Sequence, residues 1–455
     1  MDGRAGLRER PPVRRRPPRS APRRPAPVRP RGAIRRRPEN LATWLQTQGI
    51  NVTRHAAALR PFRRGEFGTD AAAPTDGHIQ AANALISELR RELLRVTRQV
   101  SNASRVAAGE ASQARLRRVV VLKEQAHNWV REIERIWDFY FELFGQRQSL
   151  PYGNWLLSCD RIALDCYQAA YLGVGVAKSV PAPPPFSYMR TGFSPATFRR
   201  GIPLQRLGRR LNPFPLVQLP YHRLINPWTL GAVLHEVSHN LQNDLGLAQV
   251  LPREISRELT RAGHPRVAVA AWTRWNRETF ADLSGLLLGG PAVVGSLMDV
   301  VGRGPRTTVA YSPRGPHPTP YLRTFISIEL LRRMGFPEEA AAYRRAWERV
   351  YPNARAGNIP RAILDTFEDA NRRVVDVICF RRYAELGNKA YSEVLRFRPK
   401  EQEMIEEAAR RVAAGTDPGV VPARFLIGAT RVALDRRLAR PQVITDNFYR
   451  ELARR

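Results

Sequence analysis

The residues best suited to chemistry lie in the segment Ala232–Leu241, AVLHEVSHNL. His235 and His239 are four residues apart, so a helix sends both imidazoles out of one face, one turn apart. Two imidazoles spaced in this way suit two ligands of a tetrahedral Zn2+ ion. Glu236 stands one step round the same helix, where its carboxylate can reach a water beside the ion. Val233, Val237, Ser238 and Asn240 are uncharged and Leu241 is apolar, as the dry wall of a cleft requires. Asn226-Pro227 and Gly246 mark the expected ends of the helix. The plain alternative is a satisfied pair of core histidines.

A third ligand is needed. Arg277–Gly285, RETFADLSG, carries Glu278 and Asp282, again four apart on a predicted helix. Two carboxylates on one helix face repel unless something cationic meets them. The apolar surroundings Phe280, Ala281, Leu283 and Leu286–Leu288 argue against a solvated face. Glu278 is therefore the expected third ligand. Asp282 is the expected acceptor for the second nitrogen of a ligand histidine, a bond that orients the ring and raises its basicity. The positions where a third histidine and its glycine would fall instead hold Leu245 and Gln242. The chemistry implied is amide hydrolysis, with Glu236 taking a proton from the attacking water and passing it to the leaving amine.

HEVSH, then ETFAD, then His317–Arg323, HPTPYLR, resembles the gluzincin peptidase family of the CAAX prenyl protease and the HtpX-type heat-shock protease. That family carries HExxH, ExxAD and a short HPxxxxR segment in this order, and the likeness spans about residues 215–335. It implies a zincin-like core, a Zn2+ ion, His317 stabilising the tetrahedral intermediate and Arg323 buttressing the site. Tyr311 and Tyr321 are alternative donors to the developing oxyanion. The chain departs from the family in two ways. Phe280 precedes Ala281 where a smaller residue is frequent, although the spacing from Glu278 to Asp282 is kept. The family's membrane helices are missing, so membrane-embedded or prenylated substrates are not implied.

Around these motifs the sequence is mostly helical in its periodicity. Asp76 to about Gln148 reads as a helical pair, Asp160–Gly175 as a buried helix, and Leu283–Val301 as a helix, a turn and a second helix. Beyond Pro337, helices are expected over Glu338–Val350, Pro360–Glu385, Lys400–Ala414 and Arg431–Ala439. Pro213–Pro220 reads as a short extended edge segment, whose Leu216–Leu219 would lie beside a bound peptide as an added strand. The expected class is mainly α (α+β), with a zincin-like catalytic core and a small edge sheet between two helical regions. The expected divisions are an arm over 1–38, an N-terminal helical region over 39–180, the core over 181–345 and a C-terminal helical region over 346–455.

The charge balance of the 455 residues is extreme: 74 Lys+Arg against 41 Asp+Glu give +33. Only four of the basic residues are lysine, at Lys123, Lys178, Lys389 and Lys400. Residues 1–38 hold fourteen arginines against Asp2 and Glu9, and almost nothing that could form a core, so a disordered basic arm is expected. Such a field draws anionic partners, nucleic acid or acidic protein. The three cysteines, Cys159, Cys166 and Cys379, suggest no disulfide framework and fit a reducing compartment. Cys159 and Cys166 are expected in a core, Asp160-Arg161 as an ion pair, and His222 in a loop. No secretion signal or membrane span is read, so a cytoplasmic location is expected, with non-classical export as the alternative. A peptide or protein is the expected substrate. Two rival functions remain: a basic binding protein on an inactive zincin scaffold, and an exported effector protease.

Overall fold

The computed structural model describes residues 41–175, 182–192, 194–353, 355 and 357–455; the expected arm over 1–38 lies outside them. Helix α1 (Leu41–Ala58) packs against a long hairpin of α2 (Asp76–Gly109) and α3 (Gln113–Gly145). Residues Ile79, Ala82, Ile86, Leu89, Leu93, Val96 and Val100 recur at three- and four-residue steps and are buried. They meet Ala126, Ile133, Ile136, Tyr140 and Phe144 from α3. Thr75 and Ser112 cap the two helices by accepting from the backbone N–H of His78 and Arg115, which satisfies donors a helix start leaves open.

His78 closes that first cap. Its Nδ1 faces the backbone N–H of Thr75 at 3.3 Å, while Nε2 lies 2.9 Å from the carbonyl of Pro184. Only the neutral ring, protonated at Nε2, satisfies both. Burial lowers its pKa from 6.5 to about 4, so below pH 6.5 the unfolded chain binds a proton that the folded one refuses. Stability should therefore fall as pH drops from 6.5 to 4, by about 3 kcal/mol from this group. Gln can supply the same capping contacts without titrating. Urea midpoints of His78→Gln should lack this component of the pH dependence; equal slopes for both proteins would refute it.

Next comes α4 (Tyr152–Val174), followed by β1 (Phe186–Met189), β2 (Ala196–Phe198), the two-residue pair β3 (Pro203–Leu204) and β4 (Arg210–Leu211), and β5 (Leu216–Leu219). The main sheet has the order β1-β5-β2, with β5 parallel to β1 and antiparallel to β2. Leu216–Leu219 is thus central, not an edge. The flanking prolines lie outside the four ladder residues, so both sides of β5 keep their donors and acceptors. Strand alternation divides its side chains between two cores: Leu216 joins the helical hairpin, and Val217 and Leu219 join the larger core.

That larger core is built around α6 (Gly231–Asp244), which follows the short α5 (Tyr221–Leu224), then α7 (Leu247–Arg261) and α8 (Arg266–Gly289). From Trp275 to Gly289 every residue of α8 except Arg277 is buried, the mark of a helix enclosed on all sides. Helices α9 (Ala292–Val301), α10 (Pro305–Thr308), α11 (Pro320–Arg333), α12 (Pro337–Val350), α13 (Arg361–Leu364) and α14 (Phe367–Val375) wrap it. The chain ends with the ribbon β6 (Arg382–Tyr383) and β7 (Lys389–Ala390), then α15 (Tyr391–Val394), α16 (Pro399–Ala414), α17 (Phe425–Asp435) and α18 (Pro441–Arg454). Helix α4 shares this core with α6 and α18, and Cys159 and Cys166 are fully buried in it. No helix among the described residues is long and apolar enough to cross a membrane.

Several local expectations change. Pro360–Glu385 is not one helix. It breaks after Leu364, and a π turn at Asp376–Phe380 leads into the β6–β7 ribbon, whose reversal uses Gly387 and Asn388 at φ 64° and 59°. The helix expected over Arg431–Ala439 spans Phe425–Asp435, and a further helix, α18, follows within the expected C-terminal helical region; Pro441 opens it as a first-turn residue. Asp160 pairs not with Arg161 but with buried Arg147, at 2.8 Å, because successive side chains on a helix diverge. Asp160 also accepts from the backbone N–H of Ser187 at 2.6 Å, tying α4 to β1. Arg161 donates to the carbonyl of Leu452 instead.

Candidate metal centre

Helices α6 and α8 approach closely through small residues. A Cβ at Gly285 would lie 3.6 Å from the backbone nitrogen of His235, and one at Gly289 only 2.6 Å from Leu234 Cδ1. Hydroxyls then lock the pair. Ser238 Oγ donates to Ser284 Oγ at 2.7 Å, and Ser284 meets the Tyr391 hydroxyl at 2.7 Å. On the other side of α6, Asn240 Nδ2 donates to Thr197 Oγ1 of β2 at 3.1 Å, which holds the strand beside the histidines. The turn Pro227–Thr229 precedes the helix, which starts at Gly231; Gly246, at φ 78°, follows its end.

This crossing brings His235, His239 and Glu278 together, one ligand atom from each lying within 4.8 Å of the others. His235 Nε2 is 3.3 Å from Glu278 Oε2, and His239 Nε2 is 3.5 Å from Oε1. Tetrahedral zinc bound at about 2.0–2.1 Å keeps its ligand atoms about 3.4 Å apart, so the set fits. A second observation agrees: Glu278 Oε2 is buried and makes no hydrogen bond, although it lies within 3.3 Å of His235 Nε2 and 3.0 Å of His317 Nε2. Both rings therefore meet Glu278 at ion-pair distance without a well-directed hydrogen bond to Oε2.

Asp282 lies behind the ligands. Its Oδ1 is 2.8 Å from His235 Nδ1, and the same carboxylate is gripped by the Nε and Nη2 of Arg323. Arg323 Nη2 also stands 3.7 Å from Glu278. Burial works against the charge on Asp282, yet the Arg323 guanidinium and His235 hold its pKa below the usual carboxylate range. Burial likewise disfavours the His235 cation, but Asp282 and Glu278 raise this ring to about 10. His239 has no carboxylate at its Nδ1, and burial with the charge of His235 outweighs Glu278 and lowers it to about 3. Glu278 is depressed, against its burial, by His235 and His317. Glu236 moves the other way: burial, with the charge of Glu278, lifts it to about 7.

The site opens into a cavity of about 540 Å3. Ala196, Thr197 and Arg199 at the β2 end, Leu286 on α8, and Val293, Val294 and Leu297 on α9 are among its walls. His317 lines it and is half-exposed. Tyr311 and Tyr321 do not line it. Tyr311 accepts from Arg274 at 3.3 Å, and Tyr321 packs on Phe325; His222 is exposed on the helical turn α5, not in the expected loop, and is not among the cavity's lining residues. Arg199, Arg274 and Arg277 line the cavity and were not singled out from the sequence. Arg274 and Arg277 precede Glu278 on the same helix, and that proximity was their signal.

No protein-family model, curated protein or solved structure matches the chain.

Proposed function

We propose that this chain is a zinc-dependent peptidase with a zincin-like core. The observation that carries the reading is the convergence of His235, His239 and Glu278, with Glu236 beside them, at the wall of an open cavity. Zinc held by those three residues supplies a Lewis acid that polarises a peptide carbonyl and acidifies a water. The remaining chemistry belongs to the chain. Glu236, a buried carboxylate at the cavity wall beside the ligands, suits a group that accepts a proton and returns it to the leaving amine. Asp282 holds the His235 ring by its Nδ1–H and leaves Nε2 toward the ligand cluster. Arg323 keeps Asp282 ionised. His317, half-exposed and 3.0 Å from Glu278, is the side chain available to donate to a developing oxyanion. Strand β2 pairs on one side only among the described residues, so its other edge, along the cavity, is open to an extended peptide.

The test is a screen for new N-termini in a proteome digested with the zinc-loaded protein and with Glu236→Gln. The wild type should generate cleavages that the variant does not. Identical digests would end the peptidase reading and favour an inactive scaffold.

A further inference from the structure

We propose that the cleft selects acidic peptides, a substrate carboxylate seating against Arg199, Arg274 and Arg277; this deepens the peptidase reading and rests on it. All three arginines line the cavity that contains the metal ligands. Arg274 and Arg277 are three residues apart, so they share a face of α8 on the turn that carries Glu278. Arg199 directly follows β2, which Asn240 clips to α6. The like charges are close enough to be felt: burial and then the charge of Arg277 lower the pKa of Arg199.

Several part-buried arginines elsewhere are met by carboxylates: Arg323 by Asp282, Arg424 by Asp165, and Arg381 by both Glu254 and Glu258. The three cleft arginines make no ion pair within the described residues. Asp244 is the acidic group whose field reaches Arg199, and it is engaged by the Tyr171 hydroxyl. Arg274 is fixed by neutral acceptors, its Nε donating to the carbonyl of Gly315 at 3.0 Å and Nη2 to the Tyr311 hydroxyl at 3.3 Å. Its direction is set, and no carboxylate among the described residues forms an ion pair with it. Converging like charges in a partly buried cleft repel until an anion joins them, and the planar guanidinium forks match a carboxylate. Leu286, Val293, Val294 and Leu297 give the cavity an aliphatic stretch, and among the described residues no Phe, Tyr or Trp lines it. The cavity lacks the row of large aromatic platforms on which successive bases stack, so a peptide suits this cleft better than a nucleic acid.

The experiment uses two labelled peptide pools, one with Asp and Glu among neutral residues and the other with Asn and Gln at the same positions. Binding to the full-length, zinc-loaded Glu236→Gln protein is read by fluorescence anisotropy at physiological salt. The acidic pool should bind about 10-fold more tightly. Adding Arg199→Gln and Arg277→Gln should bring the pools to parity with zinc retained. Arg117→Gln with Arg118→Gln, on the exposed side of α3, removes the same charge and should leave the preference intact. Equal binding of the pools, or an equal loss in the α3 control, overturns the inference. Cleavage of both pools at one rate by the wild type overturns it while the peptidase reading stands. Preferential binding without any wild-type cleavage upholds it and overturns that reading.

Discussion

Glu236→Gln should lower kcat on any cleaved peptide by about 10^3-fold while zinc content stays at the wild-type value. The amide matches the carboxylate in size and keeps one acceptor oxygen, but it cannot take up a proton at neutral pH. The chain offers no ready substitute. Asp282 faces away, committed to His235 and Arg323, and Glu278 is held far below the range of a useful base by its neighbours. Since Glu236 makes no ion pair within the described residues, its replacement leaves no stranded partner, and thermal stability should not fall. Steady-state kinetics and metal analysis on one preparation give both numbers. A variant retaining more than a tenth of the wild-type rate would remove Glu236 from the chemistry.

Asp282→Ala should be damaging in a different way. The carboxylate is enclosed, and it joins two groups that both need it: the His235 ring and the Arg323 guanidinium. Removing it strands a buried cation, which costs about 3–5 kcal/mol of folding stability. It also frees His235 to rotate, which should weaken zinc binding about 10- to 100-fold. Urea midpoints report the first effect and competition with a chromogenic chelator the second. Asp282→Asn, of equal size, should recover packing but little of the zinc affinity, because an amide can accept from the ring but cannot neutralise Arg323. Wild-type affinity in both variants would mean that Asp282 serves the fold alone.

The site was legible to the extent that it depends on helical spacing. His235 with His239, and Glu278 with Asp282, are i,i+4 pairs, and the crossing of α6 and α8 turns each pair toward the other. Arg323 and His317 were reached through a resemblance, and the structure brings both to the cluster. What spacing could not supply is partnership between distant segments. Nothing local to Asp160 reveals Arg147, and nothing local to Ser284 reveals Tyr391. The same limit hid the place of β5: flanking prolines suggested an edge, but whether a strand has one neighbour or two is decided by β1 and β2. The mainly helical class followed from periodicity. The break in Pro360–Glu385 did not, because its periodic apolar residues Ile363, Phe367, Val374, Val377 and Ile378 are buried on either side of the bend.

Zinc binding by the purified full-length protein tests the central claim most directly. After loading and removal of loosely held metal, the wild type should carry one zinc per chain, with Glu278→Ala carrying little or none. A wild-type chain that emerges without metal, or a Glu278→Ala chain that binds zinc as tightly as the wild type, would contradict the shared centre of His235, His239 and Glu278.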